Sequence, residues 1–467
     1  MTRYVLDAST RRPGGDGVVI GGSPLRLFRL TAAGAAQYGR LAAGEDVGPS
    51  RLVDRLLDAG AIHPRPDTGP FTAADITVVV PALAVRGEAL ARLRDACLGG
   101  ASIVVVDDGS QPPIEPVDAV RLLRLRSNTG PAVARNAGLA AVTTPLVAFV
   151  DTDVDLRPGW SLPLLGHFAD ERVGLVAPRV ATTPGRGRRA RYEADHSPLD
   201  LGAEPARIAP GTRVSYVPAA ALVARTAAMR AIDGFDRRLR VGEDVDAVWR
   251  LVAAGWRCRY EPAAVVHHRP RPTWRSAFRQ RVGYGSSAAL LARRHPGALA
   301  PVRVSGWSAA AWALLVAGRP RHALAVAAGT AVALVPKLRG VPAAESLRLA
   351  ATGHLLAGRQ LADAARRVWW PALLLGSLVS ARVRRITGLV VVPALVDGGP
   401  LRLLDDLSYG VGVWRGMLVD RTWAPLVPDL RSWPPRAFRG AGGGTLVDGP
   451  VRPGAAATGG RARRAAT

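Results

Sequence analysis

Three carboxylates alternate at the end of an apolar run in VAFVDTDVD, residues 147–155. The run favours a strand, so Asp151 and Asp153 stand where a buried strand reaches solvent. A bend there turns both toward one point, which suits a divalent cation with oxygen ligands whose remaining positions take water and a phosphate. A bare Asp-Thr-Asp is more often a solvated acidic turn, so the surroundings must decide. They do. Asp107-Asp108-Gly109-Ser110 closes another apolar run with two acids suited to accepting hydrogen bonds from a base or ribose. Asn128-Thr129-Gly130, with Arg135 just beyond, joins a glycine turn, a helix start and a guanidinium, all of which favour an anion. Gly242-Glu243-Asp244-Val245-Asp246 adds a second acidic stretch ahead of the helical run AVWRLVAAG.

These residues need a frame. From residue 76 the pattern is α/β: strand ITVVVPAL, a helix near 87–98, strand SIVVVDDGS, a short strand near 121–125, a helix from Pro131, then LVAFVDTD. Apolar strands alternating with helices predict a mainly parallel sheet covered on both faces. Ligands bind such sheets at the carboxyl ends of the strands, where Pro81, Asp107, Asp108, Asp151 and Asp153 all fall. That clustering indicates an enzyme.

The rest of the 467 residues divides around this frame. Residues 17–30 read as two short strands about a Gly-Gly-Ser-Pro turn; Thr31 caps a helix to about Ala43, and Pro49 opens another that Gly60 ends. Residues 1–70 are thus expected to form a winged-helix-like unit, which in layout resembles the small peptide-recognition domains of peptide-modification clusters. Beyond 301, SGWSAAAWALLVAG, HALAVAAGTAVALVP, WWPALLLGSLVSA and GLVVVPALV are apolar, flanked by arginines, and each shorter than the roughly twenty residues of a straight membrane span. They are expected over 301–430 as a buried helical hairpin or as helices on an anionic membrane surface. The Gly/Ala/Arg tail over 436–467 is expected to be disordered.

The formal charge is +25, yet Lys337 is the single lysine and the arginine excess accompanies an alanine- and glycine-rich composition. No nucleic-acid-binding motif goes with it, so nucleic acid is not the expected partner. Two cysteines and a polar N-terminus without a signal pattern place the chain in the cytoplasm, with the cytoplasmic membrane face as a partner surface.

VVVPAL, VVVDDGS, NTGPAVARNAGLA, FVDTDV, Pro158-Gly159-Trp160 and GFDRRLRVGEDVDAVWRLVAAGWRCRYEPAAVVHH occur in that order between Thr77 and about His295. This segment resembles a family 2 glycosyltransferase of the GT-A fold, which implies a GT-A core over 76–300. The resemblance implies a nucleotide-sugar donor, inversion at the anomeric carbon, and Mg²⁺ or Mn²⁺. By it, Pro81, Asp107, Asp108, Arg135 and Asp151 bind donor, Asp153 is the main metal ligand, and Asp244 is the base that deprotonates the acceptor hydroxyl. His268 is the histidine expected to approach the metal, with His267 as its competitor.

Within that family, GGSPLRLFRLTAAG and RVGYGSSAALLARRHPG are similar to the glycosyltransferases of the mycofactocin system. That implies transfer of glucose from UDP-glucose to a peptide-derived precursor, giving a β-1,4-linked oligosaccharide. Chain-extending relatives carry Gln-x-x-Arg-Trp; the nearest stretch here, Gln280 to Tyr284, departs from it, which implies release between additions. The alternatives are transfer to a lipid-linked or cell-envelope glycan, and an inactive adaptor that binds peptide and membrane.

Overall fold

The computed structural model describes residues 3–430 apart from Asp16 and Leu98. The tail expected over 436–467 lies outside the described residues.

The N-terminal unit contains β1 (Arg3–Leu6), β2 (Val18–Gly21), β3 (Arg26–Arg29), α1 (Ala32–Ala42), α2 (Arg51–Ala59) and β4 (Ile62–Arg65). Strand β1 pairs with β4, and β2 with β3, both antiparallel. Thr31 caps α1 by accepting the Gly34 amide at 3.2 Å. The cap of α2 is Ser50, which accepts from Val53, so that helix starts two residues past the proline expected to open it. Apolar residues at 53, 56 and 57 bury one face of α2 against Tyr38, Leu41 and Ile62. Its polar face meets the next unit through Asp54, which pairs with Arg172 at 2.6 Å and Arg257 at 3.0 Å.

The central unit begins with β5 (Ile76–Ala82), α3 (Gly87–Ala96), β6 (Ser102–Asp107), β7 (Arg121–Arg124), α4 (Pro131–Ala140) and β8 (Leu146–Val150). It continues through β9 (Val154–Asp155), α5 (Leu162–Leu165), β10 (Val173–Thr182), α6 (Arg188–His196), β11 (Ala206–Ile208), β12 (Ala221–Arg225), α7 (Thr226–Ala231), α8 (Glu243–Ala253), β13 (Arg257–His268) and α9 (Trp274–Arg294). The nine-stranded sheet runs β11-β13-β10-β12-β8-β5-β6-β7, with β9 added against β13. Strands β7, β6, β5 and β8 are parallel, as their apolar pattern predicts. Alternate residues feed two separate cores: Val79, Val104, Val106 and Phe149 on one face, Val78, Val80, Val105 and Val150 on the other.

The sheet is more mixed than expected. Strand β12 runs against both neighbours, β8 and β10, because Ala221 pairs with Val150 and the chain therefore enters β12 at the carboxyl end of β8. This puts the turn at Ala219-Ala220 beside Asp151.

The last third is α10 (Gly306–Val316), α11 (Pro320–Leu334), α12 (Ala343–Arg367), α13 (Trp370–Val379) and α14 (Ala381–Asp420). GLVVVPALV, expected as a short helix, is instead the first limb of α14, a 40-residue helix broken at Gly399 (φ 66°, ψ −158°) ahead of Pro400. The second limb lies along α9. There Gly285 and Gly412 let two backbones touch: a Cβ on Gly412 would stand 2.9 Å from the Gly285 Cα and collide with the Val282 carbonyl oxygen. Arg281 of α9, buried, pairs with Asp405 of α14 and lies 3.4 Å from Glu193 of α6.

Candidate active site

The carboxyl ends of β5, β6 and β8 and the N-terminus of α8 converge on one cluster. Asp151 ends β8, and its amide donates to the Ala220 carbonyl at 2.9 Å. On the other side of that turn, the Ala219 amide donates to Asp244 Oδ2 at 3.2 Å. Asp151 and Asp244 therefore flank the same two residues, although they lie 93 positions apart in the chain.

Arg135 ties the two acidic stretches together. Its Nη2 donates to Asp151 Oδ1 at 2.7 Å and its Nη1 to Glu243 Oε1 at 2.6 Å. The guanidinium is buried, with Phe235 beneath it at 5.4 Å from the ring centroid. Its charge is thus taken up by two carboxylates, and the free anion-binding role expected of Arg135 gives way to a positioning one. Burial, with the Asp244 charge second, pushes the Glu243 carboxyl up to about 7 against the pull of Arg135. Burial also raises Asp151, opposed by Arg135.

Asp153 lies one bend farther on. Strand β9 pairs with the end of β13, setting Val154 opposite His268 and Asp155 opposite His267. The fork of Arg269 on Asp155, at 2.9 and 2.6 Å, fastens this pairing. As a result His268 Nε2 comes to 3.2 Å from Asp153 Oδ2, and Arg271 to 3.3 Å. His268, rather than His267, is the histidine that reaches the acidic cluster. Burial works to raise Asp153, but the His268 hydrogen bond and the neighbouring cations hold it below the usual carboxylate range.

Among the described residues no three His, Cys, Asp or Glu side chains form a group that could hold a metal. What the chain offers at Asp153 and His268 is one carboxylate and one imidazole. Such a pair fits Mg²⁺ or Mn²⁺, which complete their shells with phosphate oxygens and water, and does not fit a cation caged by protein alone.

The other expected donor residues divide. Pro81, half-buried, lies in β5 opposite Val106 of β6, at the carboxyl edge. Asp107 is fully buried, with Oδ1 accepting from the Ser110 amide at 2.8 Å and Oδ2 from Ile114 at 3.3 Å. It builds the turn after β6, with both carboxylate oxygens engaged by backbone amides rather than left open for a donor. Asp108 accepts from the Thr129 amide and hydroxyl on Oδ1 and from the Gly130 amide on Oδ2, all at 2.8 Å. It pins the glycine turn at the start of α4, so all four oxygens of this acidic pair are engaged by the protein's own donors.

Several residues escaped the sequence reading. Tyr216 and Tyr284 lie near enough to Asp244 to feel it: burial first, then the Asp244 charge, pushes the Tyr216 phenol up to about 12. Tyr284 is raised by burial too, with Arg281 opposing and Asp244 adding. Tyr409, from the second limb of α14, stands near Tyr216 and carries Arg367 at 4.4 Å over its ring. Asp246, wholly buried, accepts from Arg250 at 2.7 Å and from Arg294 at 2.9 Å, with His295 also at 2.9 Å, locking α8 to α9. Of these only Tyr284 had a sequence signal, at the end of the Gln280 to Tyr284 stretch.

A carboxylate cluster at strand ends, a second acid on a helix start and a carboxylate–histidine pair suit transfer from a phosphate-bearing donor, and comparison with known proteins gives the same answer. The family described as Glycosyl transferase family 2 matches residues 77–230. The chain is 42% identical over 466 residues to the pre-mycofactocin glycosyltransferase of Mycobacterium tuberculosis (strain CDC 1551 / Oshkosh), covering 91% of this chain and 97% of that one. It is 29% identical over 179 residues to the succinoglycan biosynthesis protein ExoO of Rhizobium meliloti, covering 36% and 51%. Among solved structures it is similar to the mannosyltransferase PcManGT of Pyrobaculum calidifontis in complex with GDP-Man and Mn²⁺, with a TM-score of 0.44 and 16% identity over 77% of this chain and 90% of that one. Identity at the first of these levels, over nearly the whole of both chains, decides membership: the chain belongs to the family 2 glycosyltransferases of the GT-A fold, in the group that serves the mycofactocin system.

Proposed function

We propose that this glycosyltransferase moves glucose from UDP-glucose to the peptide-derived mycofactocin precursor with inversion, giving a β-1,4-linked oligosaccharide. The observation that carries the mechanism is the shared turn at Ala219-Ala220, which sets Asp244 beside Asp151. A single displacement needs one general base within hydrogen-bond reach of the attacking hydroxyl, and Asp244 is the carboxylate on the acceptor side of that turn. Asp244 Oδ1 accepts its own helix's Val245 amide at 2.8 Å, which fixes the rotamer. Asp153 and His268 would hold Mg²⁺ or Mn²⁺, which supplies positive charge to the departing diphosphate. Asp108 shapes the donor side by holding Thr129 and Gly130, and Arg135 keeps Asp151 and Glu243 in register.

For the acceptor, one cleft of about 2510 Å³ supports the reading. Its walls include Arg26, Leu27 and Arg29 of β3 in the N-terminal unit together with Ser215, Arg367 and Tyr409, while Asp244 does not line it. Such a cleft offers a peptide-derived portion of the acceptor a seat against the N-terminal unit. We assign recognition of the peptide-derived portion to that unit, and place the enzyme in the cytoplasm at the membrane face.

The test is mass spectrometry of products from purified enzyme, the precursor and a panel of nucleotide sugars, with and without chelator. β-Linked glucosylation that needs a divalent cation is expected. An α-linked product, or turnover undiminished by chelator, would overturn the mechanism. Transfer to a lipid-linked glycan instead is favoured by the exposed apolar helices alone; the same panel with that acceptor separates the two.

A further inference from the structure

All but four of the large apolar side chains left exposed lie between Trp307 and Leu430. They are densest on the hairpin formed by α13 and the first limb of α14. On its inner side Ser377 and Thr387 share a hydrogen bond at 2.9 Å, and Arg384 donates to the Ser377 carbonyl at 3.0 Å. On the outer side Leu375 is 65% exposed, Leu378 72%, Leu389 72% and Val396 80%. Residues 389, 392 and 396 recur at helical spacing, so they form one stripe. A soluble monomer seldom leaves so much contiguous apolar surface uncovered.

The charges around the stripe are predominantly positive. Residues 301–396 hold twelve cationic side chains against Glu345 and Asp363. Arg319, Arg321, Arg382, Arg384 and Arg385 are exposed, and among the described residues none pairs with a carboxylate. Arg382 reaches over Gly318, so the turn carrying Arg319 and the tip of the hairpin share one basic end.

We infer that the α13–α14 hairpin is the membrane-docking face of this enzyme, lying flat on an anionic lipid bilayer with its leucine stripe among the acyl chains and its arginines among the headgroups. The inference deepens the proposed location at the membrane face. Helix α13, ten residues long, reaches about 15 Å, half of the roughly 30 Å hydrocarbon layer, so it cannot span. The arginines beside the tip keep that tip at headgroup depth, so the first limb of α14, though part of a helix long and apolar enough to cross a membrane, lies along the surface beside α13. A second copy of the chain is a poorer occupant, because two such faces would bring unpaired arginines against one another. Gly399 breaks α14 between its apolar limb and the limb clasped to α9, so the docked surface stays joined to the catalytic unit.

Co-sedimentation of the full chain with vesicles tests this, using phosphatidylcholine alone and phosphatidylcholine containing a quarter phosphatidylglycerol. Binding to the anionic vesicles is expected, with at least about tenfold weaker binding for Leu378→Glu/Val396→Glu. Arg382→Gln/Arg384→Gln/Arg385→Gln should lose about tenfold or more on anionic vesicles while binding neutral ones as wild type does. Unchanged thermal melts exclude misfolding, and undiminished transfer to a soluble acceptor separates failure of docking from failure of the enzymatic reading. Absence of vesicle binding by wild type, equal binding to both vesicle types, or a wild-type dimer that Leu378→Glu dissociates would each overturn the proposal.

Discussion

The two sides of the catalytic cluster are built differently. On the proposed donor side Asp108, Asp151 and Asp153 follow the carboxyl ends of β6 and β8, which flank β5, each within a few residues of the apolar run that positions it. On the proposed acceptor side Tyr216 comes from a loop, Tyr284 from α9 and Tyr409 from α14, and Arg281, Asp405 and two glycines hold those two helices together. In the proposed reading, donor chemistry depends on local structure and acceptor chemistry on packing between distant segments. Damage to the two sides should therefore show different kinetic signatures.

The largest effects are expected where the sides meet the reacting atoms. Asp153→Ala removes the carboxylate of the carboxylate–histidine pair, and transfer should fall to background at every Mg²⁺ or Mn²⁺ concentration tested. Near-wild-type turnover of that variant would remove Asp153 from the mechanism. Asp244→Asn keeps the shape but loses the proton acceptor, so kcat should fall about 10²–10⁴-fold with donor affinity little changed. Isothermal titration with the nucleotide sugar beside steady-state kinetics separates these quantities.

The difference also explains what could be read from the chain. The parallel strands, the bend at Asp151 and Asp153 and the acidic helix start at Asp244 are local patterns, and they stand where the pattern puts them. Which oxygens remain free is not local. Asp107 is engaged because Ser110 and Ile114 return over it, and both terminal nitrogens of Arg135 are taken, one of them because α8 arrives from 108 residues away. The antiparallel course of β12 escaped for the same reason, since ALVAR carries no mark of direction. The length of α14 was not legible either, because the apolar segment GLVVVPALV ends at Val396 and the helix resumes beyond the break at Gly399 and Pro400.

The bond across the two sides can be tested by pH. Glu243 titrates at about 7 in the folded chain against an ordinary 4.5, because burial disfavours its charged form. Between those values the folded state keeps a proton that the unfolded chain has released, so stability falls as pH rises from about 4.5 to about 7 and then levels. Glu243→Gln abolishes that titration. Its stability relative to wild type should rise across the same window, by at most about 3 kcal/mol. Urea midpoints at pH 5 and pH 8 measure it, and parallel profiles for the two proteins would contradict a buried, raised Glu243.

Gly412→Val attacks the acceptor side from outside it. The added side chain runs into the Val282 carbonyl and the Gly285 Cα, forcing the second limb of α14 off α9. Overpacking of this kind costs about 1–3 kcal/mol, and the strain falls on the segment that carries Tyr409. The acceptor KM should rise about tenfold while slow donor hydrolysis, which needs only the strand-end carboxylates, continues at its former rate. Equal loss of both would mean that α14 supports the whole site.

The finest test is Tyr284. The phenol is raised by burial and by the Asp244 charge, so it is a neutral hydroxyl on an aromatic face next to the base. A sugar or aromatic acceptor can lie against that face while its attacking hydroxyl meets Asp244, an arrangement that strengthens binding without touching the donor. Tyr284→Phe keeps the face and drops the hydroxyl; Tyr284→Ala drops both. If the ring is what the acceptor uses, Phe should leave the acceptor KM within about twofold, and Ala should raise it several-fold, as loss of an aromatic contact worth about 1 kcal/mol implies. Donor hydrolysis should be the same in all three proteins, since no strand-end carboxylate is moved. A rise in KM as large for Phe as for Ala would shift the role from the ring to the hydroxyl. An effect of either variant on donor hydrolysis would show that the two sides are less separable than their construction suggests.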